Sequence, residues 1–284
     1  MGSRIRVSYQ GVPGAYSHLA CYGYFGERIE ALPSETFERA MERVEEGEAD
    51  YALIPIENKT AGRVDEFYGL IPEMRLQIVG EHYQRIEHCL IGLPGSSLQE
   101  ITHVYSHPQG LAQCRNYLNY MGYKPVAKFD TAGSAEEISR TQDRHHAAIA
   151  SSLAAKTYGL EILQTTIQDQ KDNFTRFIVL SNTQAMQSNP NKEYITSIIF
   201  EVKNIPSALY KALGGFAKNS VNILKIESYI PLGQWEESHF HIDVDGAIDS
   251  LRLQAALEEL RNYVSTLKIL GSYERNPLRT SDEI

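Results

Sequence analysis

The stretch Asn182-Thr-Gln-Ala-Met-Gln-Ser-Asn-Pro-Asn-Lys-Glu193 divides this 284-residue chain into two parts with different sequence patterns. It is polar, contains a proline and shows no helical or strand periodicity, which is typical of a linker. A chain of this length is expected to form about two domains of roughly 150 residues each. We therefore predict one domain over residues 4–181, a linker over residues 182–193 and a second domain over residues 194–275.

On the N-terminal side of the linker, short strand patterns alternate with helical patterns up to about Leu180, which is typical of an α/β fold with mainly parallel strands. The clearest predicted strands are Ile5–Tyr9, Tyr51–Ile56, Ile101–Tyr105 and Ala147–Ala150. Open α/β sheets bind their ligands beyond the carboxyl ends of their strands. Polar residues that follow these strands are therefore the candidate site residues.

On the C-terminal side, the apolar pattern predicts a different order of elements. They are a strand through Ile198, Phe200 and Val202, a helix from Pro206, strands at Val221–Tyr229 and Ser238–Val244 joined by a turn around Pro231-Leu-Gly233, a helix through Leu253, Leu257, Leu260 and Val264, and a strand at Leu267–Tyr273. This βαββαβ order is that of a ferredoxin-like domain. The polar tail from Asn276 to Ile284 is predicted to be frayed.

Charge and hydropathy exclude several classes of partner. The formal net charge is −9 and the sequence has no run of Lys and Arg, which argues against binding to nucleic acid or to an anionic membrane surface. The longest apolar runs are far shorter than the roughly 20 residues that a membrane-spanning helix needs. The N-terminus lacks the apolar segment of a secretory signal, so we expect a cytoplasmic protein.

Motifs for metal, cofactor and covalent chemistry are absent from the sequence. The three cysteines are widely spaced and are expected to be reduced thiols. There is no zinc-peptidase, nucleophile-elbow or phosphate-loop motif, and the Gly11-Val-Pro-Gly14 turn lacks the spacing of a dinucleotide fingerprint. That turn either receives a carboxylate at the start of the helix near Ser17 or is an ordinary strand-to-helix turn. We expect no metal and no cofactor.

Three loops that follow predicted strands carry polar side chains. They are Pro55-Ile-Glu-Asn58, continuing to Thr60, then Ser106-His-Pro-Gln109, and Asp130-Thr-Ala-Gly-Ser134. Their side chains could hydrogen-bond a ligand, or they could cap the helices that follow. Three such loops at one rim of a sheet predict a polar cleft.

The most informative stretch for chemistry is Asp172-Asn-Phe-Thr-Arg-Phe177. Arg176 has the side chain that best holds a carboxylate, because its guanidinium forms two parallel hydrogen bonds. The alternative is that Arg176 forms a structural salt bridge and that Thr175 is only a strand-forming residue.

Together these segments closely resemble the prephenate dehydratase family. The matching pieces are Gly11-Val-Pro-Gly-Ala-Tyr-Ser17, Pro55-Ile-Glu-Asn58 with Ala61-Gly62, Ser106-His-Pro-Gln109, Asp130-Thr-Ala-Gly-Ser134 and Asn173-Phe-Thr-Arg-Phe177. The second domain resembles an ACT regulatory module through Ser207-Ala-Leu-Tyr210 and Glu227-Ser-Tyr-Ile230. The resemblance covers nearly the whole chain.

The resemblance implies a two-lobed catalytic domain, similar to periplasmic binding proteins, that holds prephenate between its lobes and needs no cofactor. Thr175 would then assist departure of the ring hydroxyl, and Arg176 would hold a carboxylate. The expected substrate-binding residues are Arg176, Asn58, Thr60, Ser106, Gln109, Thr131, Ser134 and Phe177, while Glu57 would orient its loop.

The same resemblance implies that L-phenylalanine binds the ACT module. The expected regulatory residues are Ser207, Ala208, Leu209, Glu227 and Ser228. In such modules the ligand lies between paired domains, so a homodimer or homotetramer is expected. Four positions depart from the family pattern: Lys59 replaces a serine, Ser207 replaces a glycine, and Tyr229-Ile230 replaces Arg-Pro.

Two other functions fit the sequence pattern. An arogenate dehydratase performs the same elimination on the amino-acid analogue of prephenate. A non-catalytic amino-acid sensor could combine a pair of binding-protein lobes with an ACT module.

Overall fold

The structure, a computed structural model, describes residues 4–183, 188–203, 205–230 and 239–280. These residues form three sheets. The first two sheets belong to two lobes that are both built from residues up to Ser181, and the third belongs to the C-terminal domain. The expected two-lobed α/β domain followed by a βαββαβ domain is confirmed.

Lobe 1 is built around a sheet in which the strand order is β2-β1-β3-β11-β5, with β4 paired to β3. Its elements are β1 Ile5–Gln10, α1 Tyr16–Phe25, β2 Ile29–Ser34, α2 Phe37–Glu45, β3 Tyr51–Asn58, β4 Gly62–Arg63, α3 Asp65–Leu70, β5 Gln77–Arg85 and, from later in the chain, β11 Phe174–Ser181. Helix α2 shows why these residues form a helix. Its apolar face is buried, and the Thr36 hydroxyl caps its start by accepting a hydrogen bond from Arg39 N.

Lobe 2 is built around a sheet of order β10-β6-β9-β7-β8. Its elements are β6 Cys89–Gly92, β7 His103–Ser106, α4 Pro108–Gln113, α5 Arg115–Met121, β8 Lys124–Ala127, α6 Thr131–Arg140, β9 His146–Ala150, α7 Ser152–Tyr158 and β10 Glu161–Gln164. The chain enters this lobe through residues 86–88 and returns to lobe 1 through residues 165–173. These two crossings lie at the base of the cleft between the lobes.

The prediction of mainly parallel strands is wrong. Strand β1 is parallel to β2 and β3, and β7 is parallel to β8 and β9, but β11 runs antiparallel to both β3 and β5. Strands β6 and β9 are also antiparallel. The cause is the double crossing, because the chain leaves lobe 1 and returns to the middle of its sheet from the opposite direction.

The C-terminal domain has a four-stranded antiparallel sheet of order β13-β14-β12-β15. Its elements are β12 Tyr194–Val202, α8 Ala208–Lys218, β13 Ile223–Tyr229, β14 His239–Asp245, α9 Leu251–Arg261 and β15 Val264–Glu274. The sequence pattern predicts that Val264 belongs to the second helix of this domain, but Val264 begins the last strand. The predicted turn at Pro231-Leu-Gly233 lies outside the described residues.

The predicted linker occupies the interval between β11 and β12, of which residues 182–183 and 188–193 are described. The C-terminal domain packs directly on lobe 1. Tyr68, Leu76 and Ile78 of lobe 1 belong to the same apolar cluster as Leu270 and Tyr273 of β15. The two domains therefore share part of one hydrophobic core.

Gly271 sets how closely the two domains approach. A Cβ atom at this position would lie 2.0 Å from the carbonyl oxygen of Ile78 and 2.8 Å from its backbone nitrogen. A side chain here cannot rotate away from backbone atoms, so any residue other than glycine has to push β15 away from β5.

The expectation of a frayed tail is wrong as far as Thr280. Residues Pro277–Thr280 form a 3-10 turn, Asn276 N donates a 3.0 Å hydrogen bond to Glu81 Oε1, and Arg279 lies in a buried ion cluster. The partners of this tail lie far away in sequence, on β5 and β14. The tail therefore fastens the C-terminal domain to lobe 1, and residues 281–284 lie outside the described part of the chain.

We predict that Gly271→Ala lowers the free energy of unfolding by about 1–3 kcal/mol, because overpacking at a rigid backbone contact cannot relax. Thermal and denaturant unfolding would measure the change. The matched control is Gly214→Ala in helix α8, where an added Cβ meets no atom within 4 Å and should be neutral or slightly stabilising. Equal stabilities of the two variants would contradict the proposed role of Gly271.

Candidate active site

A cleft of about 430 Å³ lies between the two lobes. Lobe 1 contributes the ends of β3 and β11 and the start of α1, lobe 2 contributes the starts of α4 and α6, and the first crossing contributes its floor. The polar side chains that line it are Tyr16, Ser17, Asn58, Arg63, His88, His107, Gln109, Gln113, Asp130, Thr131, Asn173 and Thr175. Ligand sites at such sheet ends have this combination of a concave shape and convergent polar groups.

Strands β3 and β11 place Thr175 and Asn58 side by side on the cleft face of the sheet. Thr175 is the register partner of Asn58, and Asn58 Nδ2 lies 2.9 Å from Thr175 Oγ1. Side chains alternate between the two faces of a strand, so Phe177 also lines the cleft while Arg176 points to the other face.

The orientation of the Asn58 amide is fixed by backbone donors. Its Oδ1 atom accepts hydrogen bonds from Thr60 N at 3.0 Å and Ala61 N at 2.8 Å, so this atom cannot be the nitrogen. Nδ2 therefore faces Thr175 and donates to its hydroxyl oxygen. The hydroxyl hydrogen of Thr175 is not used in that bond and is available to a molecule in the cleft.

A chain of hydrogen bonds continues from Asn58 into the second lobe. Asn58 Oδ1 also accepts from the Thr60 hydroxyl at 2.8 Å, Gln113 Nε2 donates to Thr60 Oγ1 at 3.0 Å, and Gln113 Oε1 lies 2.7 Å from His88 Nε2. His88 Nδ1 lies 2.8 Å from the Tyr16 hydroxyl. Side chains from both lobes and from the crossing are thus joined.

Sequence reasoning missed Tyr16, His88 and Gln113 as candidate site residues. Gln113 follows Gln109 by four residues after a proline that starts a helix, and this spacing could have shown that both face one side. His88 has no comparable signal, because a lone histidine beside apolar residues is typical of a core position.

The prediction that Arg176 binds substrate is wrong. Its side chain is 1% exposed and lies on the face of the sheet opposite the cleft. Its Nε atom lies 2.9 Å from Glu81 Oε2, and its Nη1 atom lies 2.7 Å from Asp243 Oδ2 and 3.1 Å from Glu57 Oε1. The structural salt bridge, the alternative considered above, is what the structure contains. Adjacent residues in a strand cannot both face one ligand.

Arg176 is the centre of what we call the interdomain ion cluster. Its six charged members are Arg176, Arg279 and Lys225 with Glu57, Glu81 and Asp243. Burial alone would lower the pKa of Arg176, but the charges of Asp243 and Glu81 outweigh burial and raise it. Burial would likewise raise the pKa of Asp243, but the guanidinium of Arg176 holds it well below its ordinary value. Arg176 and Asp243 therefore stabilise each other's charged form.

The structure separates the remaining predicted site residues, the catalytic candidate Thr175 among them, into three groups. Asn58, Gln109, Thr131, Thr175 and Phe177 line the cleft. Thr60 is exposed at an adjoining hollow and bridges Asn58 to Gln113.

Ser106 and Ser134 do not reach the cleft, so their predicted role is wrong. Both are buried, and their hydroxyls donate to the carbonyl oxygens of Ile149 and Asp130 respectively. The reason is that Ser106 ends a buried strand, and that Ser134 lies on the buried face of α6.

Arg63 is a guanidinium of lobe 1 that does line the cleft. It also reaches the C-terminal domain, because its Nη1 atom donates a 2.8 Å hydrogen bond to the carbonyl oxygen of Ser228 and lies 3.8 Å from Glu227 Oε2. Its other carboxylate neighbour is Asp65. The residue thus joins the cleft wall to strand β13.

The predicted regulatory residues lie at two places in the C-terminal domain. Ser207 precedes helix α8 in a left-handed conformation with φ of 63°, and Ala208 and Leu209 begin that helix. Glu227 and Ser228 lie on the edge strand β13.

The described residues contain neither a metal-ligand cluster nor a membrane-spanning helix. They contain no cluster of three or more His, Cys, Asp or Glu side chains arranged to hold a metal ion. None of their helices combines the length and apolar character needed to cross a membrane.

Comparison with known proteins agrees with this arrangement. A family model described as prephenate dehydratase matches residues 7–185, which is more than half of the chain. The chain belongs to the prephenate dehydratase family.

The similarity to individual relatives extends beyond residues 7–185. The chain is 42% identical to a bifunctional N-acyl-homoserine lactone acylase/prephenate dehydratase of Komagataeibacter europaeus, over 98% of both chains. It is 40% identical to arogenate dehydratase 3 of Arabidopsis thaliana, over 96% of this chain and 68% of the plant protein. A solved prephenate dehydratase of Arthrobacter aurescens in complex with L-Phe superposes with a TM-score of 0.86 at 31% identity, covering 95% of this chain and 90% of that one.

We predict that Arg176→Met lowers the free energy of unfolding by about 3–5 kcal/mol, because it leaves buried carboxylates without their partner. Thermal unfolding would measure this change. The control is Lys59→Met, whose partner Asp172 is 63% exposed, so that the loss should be about 1 kcal/mol or less. A stable Arg176→Met variant with a raised KM would restore the role in substrate binding.

Proposed function

We propose that this chain is a prephenate dehydratase, which converts prephenate to phenylpyruvate, carbon dioxide and water. The observation that carries the proposal is the Thr175 hydroxyl in the cleft, oriented by Asn58 so that its hydrogen is available to a ligand. A hydroxyl donor held in this way suits a reaction in which a poor leaving group, hydroxide, has to depart.

The elimination follows from the chemistry of the substrate. The electron pair of the bond to the ring carboxylate moves into the ring as carbon dioxide leaves, and the carbon–oxygen bond on the opposite side of the ring breaks. The departing oxygen takes up one proton and leaves as water, and the ring becomes aromatic. Thr175 donates its hydrogen bond to that oxygen as negative charge develops on it. Thr175 is too weak an acid to act in bulk water, so exclusion of water from the cleft is part of the proposal.

Residues around Thr175 supply the remaining requirements. The substrate is a dianion, and Arg63 brings a positive charge to the cleft wall. The N-terminus of helix α1 adds backbone N–H groups near Ser17, because its N-cap residue Ala15 provides no side-chain partner for them. Apolar surface from Val64, Ile86 and Phe177 faces the same space and suits the ring.

Arogenate is a second candidate substrate, because a relative that is 40% identical is named arogenate dehydratase. The two compounds differ only in a keto or an amino group on the side chain, and the proposed elimination is the same for both. The acylase activity in another relative's name would need a nucleophile. Among the described cleft residues, His88 is hydrogen-bonded to Tyr16 and Gln113 rather than to a serine or cysteine, so we favour dehydration.

The direct test incubates the purified protein with prephenate and, separately, with arogenate. Phenylpyruvate from prephenate is expected, and the ratio of the two values of kcat/KM identifies the preferred substrate. Release of neither phenylpyruvate nor phenylalanine would reject the dehydratase proposal.

We predict that Thr175→Ala lowers kcat about 10²-fold or more, because the departing oxygen loses its donor. Stability should change little, since Asn58 Nδ2 keeps Asn173 Oδ1 and the Phe174 carbonyl oxygen as acceptors. The matched control is Thr175→Ser, which retains the hydroxyl and should retain most of the activity. Normal turnover by Thr175→Ala would remove Thr175 from the mechanism.

We also propose that the C-terminal domain is an ACT module through which L-phenylalanine inhibits the enzyme. One support is the relative solved with L-Phe. Another is that apolar side chains flanking both regulatory motifs are exposed, namely Ile205, Tyr210, Ile226 and Ile230. Such residues suit an interface between two C-terminal domains, and so a dimer or tetramer of a cytoplasmic enzyme. The hydrogen bond from Arg63 to Ser228 is the contact through which phenylalanine binding at β13 would change the cleft.

We predict that Arg63→Lys weakens the coupling between phenylalanine and substrate, because lysine cannot contact Asp65 and Ser228 together. Calorimetry should still detect phenylalanine binding, while the inhibition at saturating phenylalanine should fall. The control is Arg75→Lys, which changes an exposed arginine. By linkage, substrate must change the affinity for phenylalanine by the same factor by which phenylalanine changes the affinity for substrate. If this factor is the same in Arg63→Lys as in the wild type, the contact through Arg63 is excluded.

A further inference from the structure

His88 occupies the first crossing between the lobes, and its side chain is almost completely buried at 2% exposure. Its two ring nitrogens contact different lobes. Nδ1 lies 2.8 Å from the hydroxyl of Tyr16 in helix α1 of lobe 1, and Nε2 lies 2.7 Å from Oε1 of Gln113 in helix α4 of lobe 2. One imidazole therefore connects both walls of the cleft at its base.

The direction of every hydrogen bond in this chain follows from the anchored Asn58 amide. Asn58 Oδ1 can only accept, and at 2.8 Å it is nearer to the Thr60 hydroxyl than Asn173 Oδ1 at 3.3 Å, so the hydroxyl donates its single hydrogen to Asn58. Thr60 Oγ1 must then accept from Gln113, which fixes Nε2 of Gln113 toward Thr60 and Oε1 toward His88. Because Gln113 Oε1 can only accept, His88 Nε2 must carry a hydrogen.

The other ring nitrogen, Nδ1, faces the hydroxyl of Tyr16. Burial lowers the pKa of His88, so the ring is neutral near pH 7, and a neutral ring with hydrogen on Nε2 has a bare Nδ1. The Tyr16 hydroxyl lies 2.8 Å from Nδ1 and 2.9 Å from the carbonyl oxygen of Glu87, and it shares its one hydrogen between these two acceptors. From His88 onward the bonds run in one direction, through Gln113, Thr60 and Asn58 to Thr175.

We propose that His88 is a positioning residue for the elimination. Its Nε2–H holds Gln113, and through Thr60 and Asn58 it keeps the hydroxyl hydrogen of Thr175 directed into the cleft, while it also fixes the separation of the two lobes. The inference rests on the proposed function of the cleft. It requires no proton to move along the chain, since the chain acts by orientation alone.

Two substitutions of His88 separate its two nitrogens. A glutamine amide nitrogen lies close to the place of imidazole Nε2, and an asparagine amide nitrogen lies close to the place of Nδ1. We expect His88→Asn to lower kcat about 10-fold to 100-fold with little change in KM, and His88→Gln to retain kcat within a few-fold. Both variants bury a carboxamide in place of the ring, so their thermal midpoints should fall together. Equal kcat values for the two would overturn the proposal.

A double-mutant cycle with Thr175 distinguishes positioning from a merely structural role. Thr175→Ala removes the group that the chain orients, so His88→Asn should cost little additional kcat in that background. A structural role predicts the same fold loss in both backgrounds, and that result would overturn the proposal. The reference is wild-type turnover of prephenate or arogenate. If the wild-type protein converts neither compound, the proposed function is rejected, and that result is distinct from rejection of the role of His88.

Thr60→Val provides a second break in the same chain if His88→Asn does not fold. Thr60 is exposed, so its substitution should leave the fold intact. The expected result is a loss of kcat of similar size that is again absent in the Thr175→Ala background. Wild-type kcat in Thr60→Val would show that the hydrogen-bonded chain is not needed.

Discussion

The alternation of side chains along strand β11 is the constraint on which both the cleft and the domain arrangement depend. This strand lies between β3 and β5, so both of its edges are hydrogen-bonded within the sheet and its side chains face the two sides of that sheet. Thr175 and Phe177 point into the cleft, while Arg176 between them points to the C-terminal domain. The register with β3 repeats this division, since Asn58 pairs with Thr175 and Glu57 pairs with Arg176. The pair of Thr175 and Asn58 therefore lies on one face of the sheet, and the pair of Arg176 and Glu57 lies on the opposite face.

The interdomain ion cluster gives the domain contact its geometry rather than most of its stability. Removing charges from water is costly, and their mutual attraction roughly offsets that cost only when every member is paired. Here Arg176 is additionally bonded to the Tyr273 hydroxyl at 3.1 Å, and Arg279 lies 2.8 Å from Asp243. The apolar cluster shared between the domains supplies the attraction. Fixed charges then allow one relative orientation of the domains.

The sequence predicts the elements and the loops better than it predicts the direction of individual side chains. The loops at Asn58, Gln109 and Thr131 meet at the cleft because the ends of strands in an open sheet converge. Ser106 and Ser134 belong to the same loops, yet they are bonded to nearby carbonyl groups. Arg176 was assigned to the substrate from the chemistry of its guanidinium and from the family resemblance, but strand alternation turns it away from the face that carries Thr175. The βαββαβ order was predictable, because its apolar periodicity is local.

Contacts between distant segments explain the remaining errors. Tyr16, His88 and Gln113 come from two lobes and the crossing between them, and no local sequence pattern predicts that they are in contact. The tail was expected to be frayed because it is polar. Its partners Glu81 and Asp243 lie on β5 and β14, far away in sequence, so no local pattern indicates that they bind Arg279. Sequence patterns register the packing of one element on its neighbour, and these groups contact each other only after three separate units have assembled.

The origin of the charges in the interdomain ion cluster bears on how such proteins can recombine. Lobe 1 contributes Glu57, Glu81 and Arg176, one more carboxylate than cations. The C-terminal part of the chain contributes Lys225, Asp243 and Arg279, one more cation than carboxylates. Each half is matched to the other and is imbalanced alone. A chimera that joined these two lobes to a foreign C-terminal domain lacking the complementary pattern would bury uncompensated charge on the face of the sheet opposite Thr175, so inheritance of the two parts as a unit is physically favoured.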